Sequence, residues 1–275
     1  MIQSDGYAAA FLWFGLLQGT VVVLVGQFVS APPRDWRPAG WDPAVSAPAV
    51  RQSGDEFTPR QMLRTPQFWL LYGMFALVGT GGLMATAQLA PIAQHYGVDR
   101  VVLIGGLTAL TLAMQLDRVL NGVTRPLWGW ISDHIGRERS MALAFGSEAV
   151  AILVLLSLAA HPLLFVVCSG LAFFSWGEIF SLFPSLATDF FGRQHATGNY
   201  GILYTAKGVS ALLAGPVAAL LVQDLGTWAP VFYVAATFDA LAALLAILVL
   251  RRMPLPALPA ATPRGRPAPL SGGSG

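Results

Sequence analysis

Three basic side chains, Arg118, Arg125 and Lys207, lie in stretches of sequence that are otherwise apolar enough to cross a membrane. An ionisable residue in such a stretch is costly and by default marks a functional site. Lys207, the only lysine of the chain, lies nine residues into the apolar stretch that begins at Gly198. At about 1.5 Å per helical residue it falls near the middle of a hydrocarbon core about 30 Å thick. Buried cations of this kind predict a site that binds an anion.

The two arginines belong to a polar stripe on a predicted helix. Gln115, Arg118, Asn121 with Gly122, and Arg125 recur every three to four residues, while apolar side chains cover the rest of the helix. Such a stripe faces a cavity or a packed neighbour.

Aromatic side chains accompany the lysine. Tyr204 shares a helix face with Lys207, and on the preceding predicted helix Trp176, Phe180 and Phe183 recur at the same spacing. Rings beside a buried ammonium stabilise its charge. The same pattern is also produced by ordinary helix packing, and both interpretations stay open for these rings.

The composition predicts an all-α integral membrane protein. Of its 275 residues, 55% are hydrophobic and 11% charged, with a mean hydropathy of +0.61, whereas soluble domains carry about 25% charged residues. A net charge of +2 is too small to indicate nucleic acid as a partner, and the single Cys168 excludes a disulfide framework or a cysteine-rich metal site. Hydrolase, zinc-protease, P-loop and ion-filter patterns are missing, so we expect no enzyme, cofactor, metal site or channel.

Seven apolar stretches have the length of a membrane-spanning helix. They are Tyr7–Val29, Phe68–Ala90, Val101–Trp130, Met141–Ala160, Leu163–Phe183, Gly198–Val222 and Trp228–Leu250. We therefore divide the chain into one helix (1–29), a mobile proline-rich and charged linker (30–66), a six-helix bundle (67–252) and a disordered tail (253–275).

The arginines predict the orientation in the membrane, because basic residues near helix ends stay on the cytoplasmic side. With the linker inside, Arg100 alone lies outside, whereas twelve arginines lie inside: Arg34, Arg37, Arg51, Arg60, Arg64, Arg137, Arg139, Arg193, Arg251, Arg252, Arg264 and Arg266. The N-terminus is thus expected outside and the C-terminus in the cytoplasm. The first apolar run lacks a basic leader and predicts a retained helix.

One loop carries a specific pattern, Gly129, Asp133, Gly136, Arg137 and Arg139. It resembles the loop between the second and third helices of a six-helix half in the major facilitator superfamily. The stretches RTPQFW from residue 64, NG…RPLWG from residue 121, FPS…D…FG from residue 183 and NYG…AK from residue 199 resemble the oxalate/formate antiporter family of that superfamily.

The resemblance implies a partial major facilitator fold, namely the sixth helix followed by the complete second half. It implies a small carboxylate held by Arg125 and Lys207, with Trp176, Phe180 and Tyr204 as aromatic cavity positions. Substrate sites of this fold lie between two halves, so it also implies a first half, as a possible separate chain, and a location in a bacterial inner membrane.

Three further charges leave alternatives open. Asp117 neutralises Arg118 or a neighbouring helix, or else Arg118 is a third cation of the cavity. Glu178, about 200° around a continuous helix from Trp176, is an interhelical partner or a proton site. If Glu178 neutralises Lys207, the site holds one negative charge and prefers formate or lactate to oxalate.

Two other acids, Glu148 and Asp239, lie in helices that resemble the peripheral ones of the fold. We expect them to be structural or near an interface.

The loop pattern predicts a conformational latch. The acid Asp133 ends one helix, and Arg137 and Arg139 begin the next, so they can pair in one state and separate in another.

The leading function implied by the resemblance is a secondary transporter of small carboxylates, by antiport or proton symport. A truncated or regulatory fragment without transport is the alternative.

Overall fold

The computed structural model describes residues 2–30, 33, 36, 39 and 50–258, with side chains from residue 6 onward. They belong to two units, Met1–Ala47 and Pro48–Gly275. The predictions for residues 31–49 fall mostly outside the described residues, as do those for 259–275.

The first unit contains one apolar helix, α1 (Ile2–Gly26). The backbone leaves helical geometry at Gly6, where φ is +78°, and the 21 residues from Gly6 to Gly26 are long and apolar enough to cross a membrane. Large apolar side chains such as Phe11 and Trp13 are exposed on this helix. A helix that is apolar on all sides suits a lipid environment.

The second unit is a bundle of helices. They are α2 (Pro59–Met62), α3 (Pro66–Thr86), α4 (Leu89–His95), α5 (Ala109–Ile135), α6 (Arg137–Leu158), α7 (Pro162–Trp176), α8 (Ile179–Phe191), α9 (Ala196–Leu225) and α10 (Ala229–Leu244), and α10 continues as a π-helical segment (Leu245–Val249) and a 3₁₀ turn (Leu250–Arg252). Helix α3 packs on α9 and α10, α6 packs on α7 and α10, and α5 packs on α7.

The chain is an all-α membrane protein, and six spans among the described residues satisfy both length and apolar composition. The spans are Gly6–Gly26, Pro66–Thr86, Arg137–Leu158, Pro162–Phe191, Ala196–Leu225 and Ala229–Arg252. Helix α5 has sufficient length, but its four charged residues, Asp117, Arg118, Arg125 and Asp133, make it too polar for that set. The predicted number of seven spans is therefore not confirmed.

The helix predicted from Val101 does not begin there. Strands β1 (Val102–Ile104) and β2 (Leu107–Thr108) form an antiparallel hairpin instead. Gly105 and Gly106 supply the positive φ values of its turn, +59° and +77°. Helix α5 begins only after Thr108, whose hydroxyl accepts a hydrogen bond from the Thr111 N–H.

The helix predicted over Leu163–Phe183 is likewise two helices. Helix α7 ends at Trp176 and α8 begins at Ile179. At the break, a β-carbon on Gly177 would collide with the Thr124 side chain of α5. The glycine thus lets α5 and the α7–α8 break approach closely.

The end of the predicted linker is ordered and bound to the bundle. Phe57 N–H donates to the Phe191 carbonyl at 2.9 Å, and the Asn199 amide donates to the Phe57 carbonyl at 2.9 Å. Gln67 binds the Pro254 carbonyl at 3.0 Å, so the first residues of the predicted tail are also held. Proline and charge suggested mobility here, but tertiary hydrogen bonds fix residues 50–58 and 253–258.

Candidate functional site

Arg125 and Lys207 lie over the same aromatic ring. The Arg125 guanidinium carbon is 4.4 Å from the centre of the Phe180 ring, and Lys207 Nζ is 4.1 Å from it. We call these two residues the cation pair. Helix α5 carries the arginine, α9 carries the lysine, and the first turn of α8 supplies the ring between them.

Neighbouring side chains orient each cation. Arg125 Nη2 donates to Asn121 Oδ1 at 3.0 Å, one helical turn earlier on α5. Lys207 Nζ lies 5.0 Å from the centre of the Trp176 ring. Within the described residues neither cation forms an ion pair with a carboxylate. Their positive charge therefore stays available to an anion.

The predicted aromatic residues separate into two groups. Trp176, Phe180 and Tyr204 adjoin one another, with ring centres 5.9 Å apart for the first two and 6.4 Å for the last two. Phe183 instead stacks on Phe75 at 4.4 Å, fully buried, which agrees with packing for this ring.

The site opens onto the surface of the bundle. Arg125 is exposed, and Tyr204 is 39% exposed. An open groove of about 470 Å³ runs beside Tyr204 between α8 and α9, lined also by Pro184, Thr188 and Tyr200. Arg125 thus lies on the surface of the bundle, Lys207 is half-buried, and the groove reaches Tyr204 beside them.

The structure separates the three further charges from one another. Asp117 is buried at 1% exposure, whereas Arg118 is exposed, and the two form no ion pair among the described side chains. Glu178 is fully buried at the α7–α8 break and forms no ion pair with Lys207 in the described part of the chain. In this structure, therefore, Glu178 does not neutralise Lys207 through an ion pair.

Glu148 and Asp239 lie inside the bundle, on two helices that pack against each other. They are 1% and 0% exposed, and both interact electrostatically inside the bundle, with Glu178 as a further neighbour of Glu148. Burial of both acids on neighbouring helices agrees with the expectation that they are structural or near an interface.

Arg137 is the centre of the latch region. Its Nε donates to Asp189 at 2.8 Å and its Nη1 donates to Asp133 at 2.7 Å, with a further contact to Ser132. Arg137 therefore joins the end of α5 to the start of α6 and to α8.

The other residues of the loop pattern take different positions. Gly136 has a φ of +93° between α5 and α6, which favours glycine. Gly129 has open space around it, and Arg139 is exposed without an ion pair among the described residues. The sequence did not identify Asp189 as a partner of Arg137, although Asp189 belongs to one of the stretches that carried the resemblance.

Comparison with known proteins identifies the class. Residues 119–273 match the Major Facilitator Superfamily, and the chain belongs to that family. The sequence is 32% identical over 257 residues to the Oxalate:formate antiporter of Oxalobacter formigenes, and the matched stretch covers 93% of this chain and 57% of the relative. The resemblance predicted from the sequence is confirmed.

Two other relatives are more distant. The Monocarboxylate transporter 12-B of Danio rerio is 27% identical over 175 residues, or 62% of this chain and 35% of the relative. The uncharacterised MFS-type transporter YhjX of Escherichia coli K12 is 27% identical over 158 residues, or 57% and 38%. The chain spans about half the length, or less, of the curated relatives that it matches.

Proposed function

We propose that this chain supplies the second half of a secondary transporter for small carboxylates and that the cation pair binds the substrate. The observation that carries this proposal is the arrangement of Arg125 and Lys207 around the Phe180 ring, without an ion pair to either cation among the described residues. Similarity to the Oxalate:formate antiporter supports a carboxylate as the ligand.

The two cations need an anion between them. Like charges repel strongly in a region of low dielectric constant, and a bound carboxylate lowers that cost through charge-assisted hydrogen bonds. Arginine can hold a carboxylate through two parallel hydrogen bonds, whereas lysine acts as a point charge. The anion is both substrate and counter-charge.

The charges of the site favour a dianion. Because Glu178 does not pair with Lys207 in the structure, two positive charges face the ligand, and a dicarboxylate of the size of oxalate neutralises both. We therefore propose that oxalate binds more tightly than formate or lactate. Equal or stronger binding of formate would support the monocarboxylate alternative.

The exposed face of the cation pair fits the architecture of this fold. Substrates of major facilitator proteins lie between two halves near the middle of the bilayer, and the halves rock against each other. We propose that a first half covers Arg125 and Tyr204 and completes the site. Antiport and proton symport are both compatible with this arrangement.

The test is binding and uptake of radiolabelled oxalate, formate and lactate by the chain in lipid vesicles, with and without a candidate first half. Arg125→Lys should weaken oxalate binding although it keeps the charge, and Lys207→Ala should weaken it by removing a charge. The control is Arg100→Lys, because Arg100 is exposed outside the bundle helices.

Unchanged binding in both site variants would reject the site. Binding without uptake in every combination of halves would support the alternative of a non-transporting fragment.

A further inference from the structure

Three carboxylates with no hydrogen-bond partner lie inside the bundle. Glu148 of α6, Glu178 at the α7–α8 break and Asp239 of α10 are 1%, 0% and 0% exposed. Glu148 interacts electrostatically with the other two, and Asp239 also acts on Glu178. We call these three residues the carboxylate cluster.

The oxygens of the cluster find no donor among the described residues. Both oxygens of each carboxylate are buried without a hydrogen-bond partner there. The Glu178 carboxylate comes near the backbone N–H groups of residues 178 and 179, but it makes no hydrogen bond of normal geometry with them. Asp239 Oδ1 faces the backbone at Gly81, where an added β-carbon would lie 2.7 Å away.

No basic side chain of the surrounding helices forms an ion pair with the cluster among the described residues. Helix α5, which packs on α6, α7 and α8, carries the buried Asp117 and four exposed titratable side chains, Arg118, Arg125, Asp133 and His134. Helices α3, α7, α8 and α10 contain no lysine, arginine or histidine. On α6, Arg139 is exposed, and Arg137 is already bound to Asp133 and Asp189. Helix α9 brings Lys207, whose ammonium lies against Trp176 and Phe180.

Other titratable groups on these helices are few and do not neutralise the cluster. Helix α3 carries Tyr72, α7 carries Cys168 and α10 carries Tyr233. On α6, Glu138 forms an ion pair with Arg51 at the helix start. The remaining ones on α9, Tyr200, Tyr204 and Asp224, are acids rather than bases.

Three bare negative charges cannot persist in such a place. Moving a carboxylate from water into a medium of low dielectric constant is costly, and neighbouring negative charges add to the cost. The described residues contain no group of three His, Cys, Asp or Glu side chains that could hold a metal ion. Protons are the positive ligand that fits.

We propose that Glu148, Glu178 and Asp239 form a proton-binding site whose charge controls the affinity of the cation pair for its anion. Trp176 connects the carboxylate cluster to the cation pair. Its ring adjoins Lys207 at 5.0 Å and packs against Gly82, the residue after the Gly81 that faces Asp239. This second role rests on the proposed function, whereas proton binding by itself does not.

The sign of the coupling follows from charge. A deprotonated cluster supplies negative charge inside the bundle that carries Lys207, and this charge competes with the anion. When protons from water bind to the carboxylate oxygens, the cluster becomes neutral and the cation pair keeps its full attraction for the anion. Anion binding therefore strengthens as pH falls, and by linkage anion binding draws protons onto the cluster.

Infrared spectroscopy of the 275-residue chain in lipid tests proton binding directly. All variants are made in a protein that carries Asp117→Asn. Asp117 is buried and one of its oxygens has no hydrogen-bond partner among the described residues, so it could contribute a similar band. At neutral pH we expect a C=O stretching band of protonated carboxyl groups that shifts in heavy water. This band should weaken in Glu148→Gln, Glu178→Gln or Asp239→Asn, and it should persist in the control Asp224→Asn, since Asp224 is exposed.

The infrared spectrum of the Asp117→Asn protein alone, without any variant of the cluster, can already decide the question. A background protein without a protonated-carboxyl band at neutral pH would overturn the proposal even if the cluster variants failed to fold. A band that survives unchanged in all three variants would overturn it as well.

Oxalate binding at neutral and alkaline pH, where oxalate stays ionised, tests the coupling. We expect the affinity to fall about tenfold as the cluster loses its protons on alkalinisation, within the usual range of coupling between sites, and oxalate to cause proton uptake in weakly buffered alkaline solution. In the Glu178→Gln, Asp239→Asn double variant both effects should be lost. An affinity that does not depend on pH overturns the coupling, whereas no oxalate binding at any pH rejects the proposed function and leaves the infrared test to decide on the proton site.

Discussion

At the scale of single residues, the Phe180 ring is the contact that Arg125 and Lys207 share. A cation above an aromatic face gains about 0.5–2 kcal/mol, and this ring serves Arg125 and Lys207 together. An aliphatic side chain of similar size would remove that attraction without removing a charge. The ring therefore contributes to affinity although it makes no hydrogen bond to the anion.

We predict that Phe180→Leu weakens oxalate binding about tenfold, because roughly 1.4 kcal/mol of cation–ring stabilisation corresponds to that factor. Calorimetric titration with oxalate measures it. Phe180→Tyr keeps the ring and should bind as the parent protein does. If Phe180→Leu also binds normally, the ring has no part in placing the cations.

Spacing and the cost of a buried charge were enough to single out Arg118, Arg125 and Lys207 from the sequence. The resemblance to a family, rather than the spacing, implied that Arg125 and Lys207 hold a carboxylate, and the spacing left Trp176 open between helix packing and a cavity position. The partner of Arg137 was not accessible in this way, since Asp189 lies 52 residues away. The same holds for Glu148, which meets its acidic neighbours only through packing between helices.

At the scale of elements, sequence reasoning located the apolar stretches and misjudged several of their ends. Hydrophobicity averaged over a window stays high across Val101–Thr108 and across the α7–α8 break, and the average hides the Gly105–Gly106 and Gly177–Glu178 pairs at the two interruptions. The hairpin depends on Gly105 and Gly106, and the break depends on a close approach between Gly177 and Thr124. The hairpin is thus an effect of backbone conformation, and the break is an effect of tertiary packing.

Two glycines on α3 offer a matched test of helix packing. A β-carbon at Gly82 would collide with the Trp176 ring, whereas Gly73 has open space. We predict that Gly82→Ala lowers stability by about 1–3 kcal/mol through overpacking. Gly73→Ala should raise it by up to about 1 kcal/mol through helix propensity.

Thermal unfolding in detergent measures both changes. Because Trp176 also adjoins Lys207, Gly82→Ala should weaken oxalate binding too. Equal unfolding temperatures for the two variants would show that the Trp176 ring does not occupy the position described.

The contacts of Arg137 predict a kinetic role for the latch. Its two carboxylate partners join three helices at one end of the bundle. Loss of such contacts changes the relative populations of conformations rather than contacts to the ligand. We predict that Asp133→Ala, Arg137→Ala and Asp189→Asn slow exchange in a reconstituted pair of halves and leave equilibrium oxalate affinity nearly unchanged.

Asp224→Asn serves as control for these variants, since Asp224 is exposed in the last turn of α9. Exchange rates and equilibrium binding must be measured on the same preparations. Weaker binding at a normal exchange rate would place the latch residues in the substrate site instead.

At the scale of the whole molecule, the bundle presents the cation pair on a surface and encloses the carboxylate cluster. A cation pair at an open face is suited to a partner surface that closes over a solute, and an enclosed cluster is suited to a ligand as small as a proton. The Trp176 ring adjoins Lys207 and packs against Gly82, next to the Gly81 that faces Asp239. A transporter assembled from such halves can make substrate binding and proton binding depend on each other.

The orientation of the chain in the membrane is the last prediction. Arginine is concentrated on one side of the predicted spans, and basic residues near helix ends remain in the cytoplasm. Arg60 precedes the span Pro66–Thr86, Arg100 follows it, and both are exposed. In intact cells a membrane-impermeant maleimide should therefore label Arg100→Cys and leave Arg60→Cys unlabelled, while permeabilised cells should show both labelled. The native Cys168 is buried and is replaced by serine in both proteins to remove background. The opposite labelling pattern in intact cells would reverse the predicted topology.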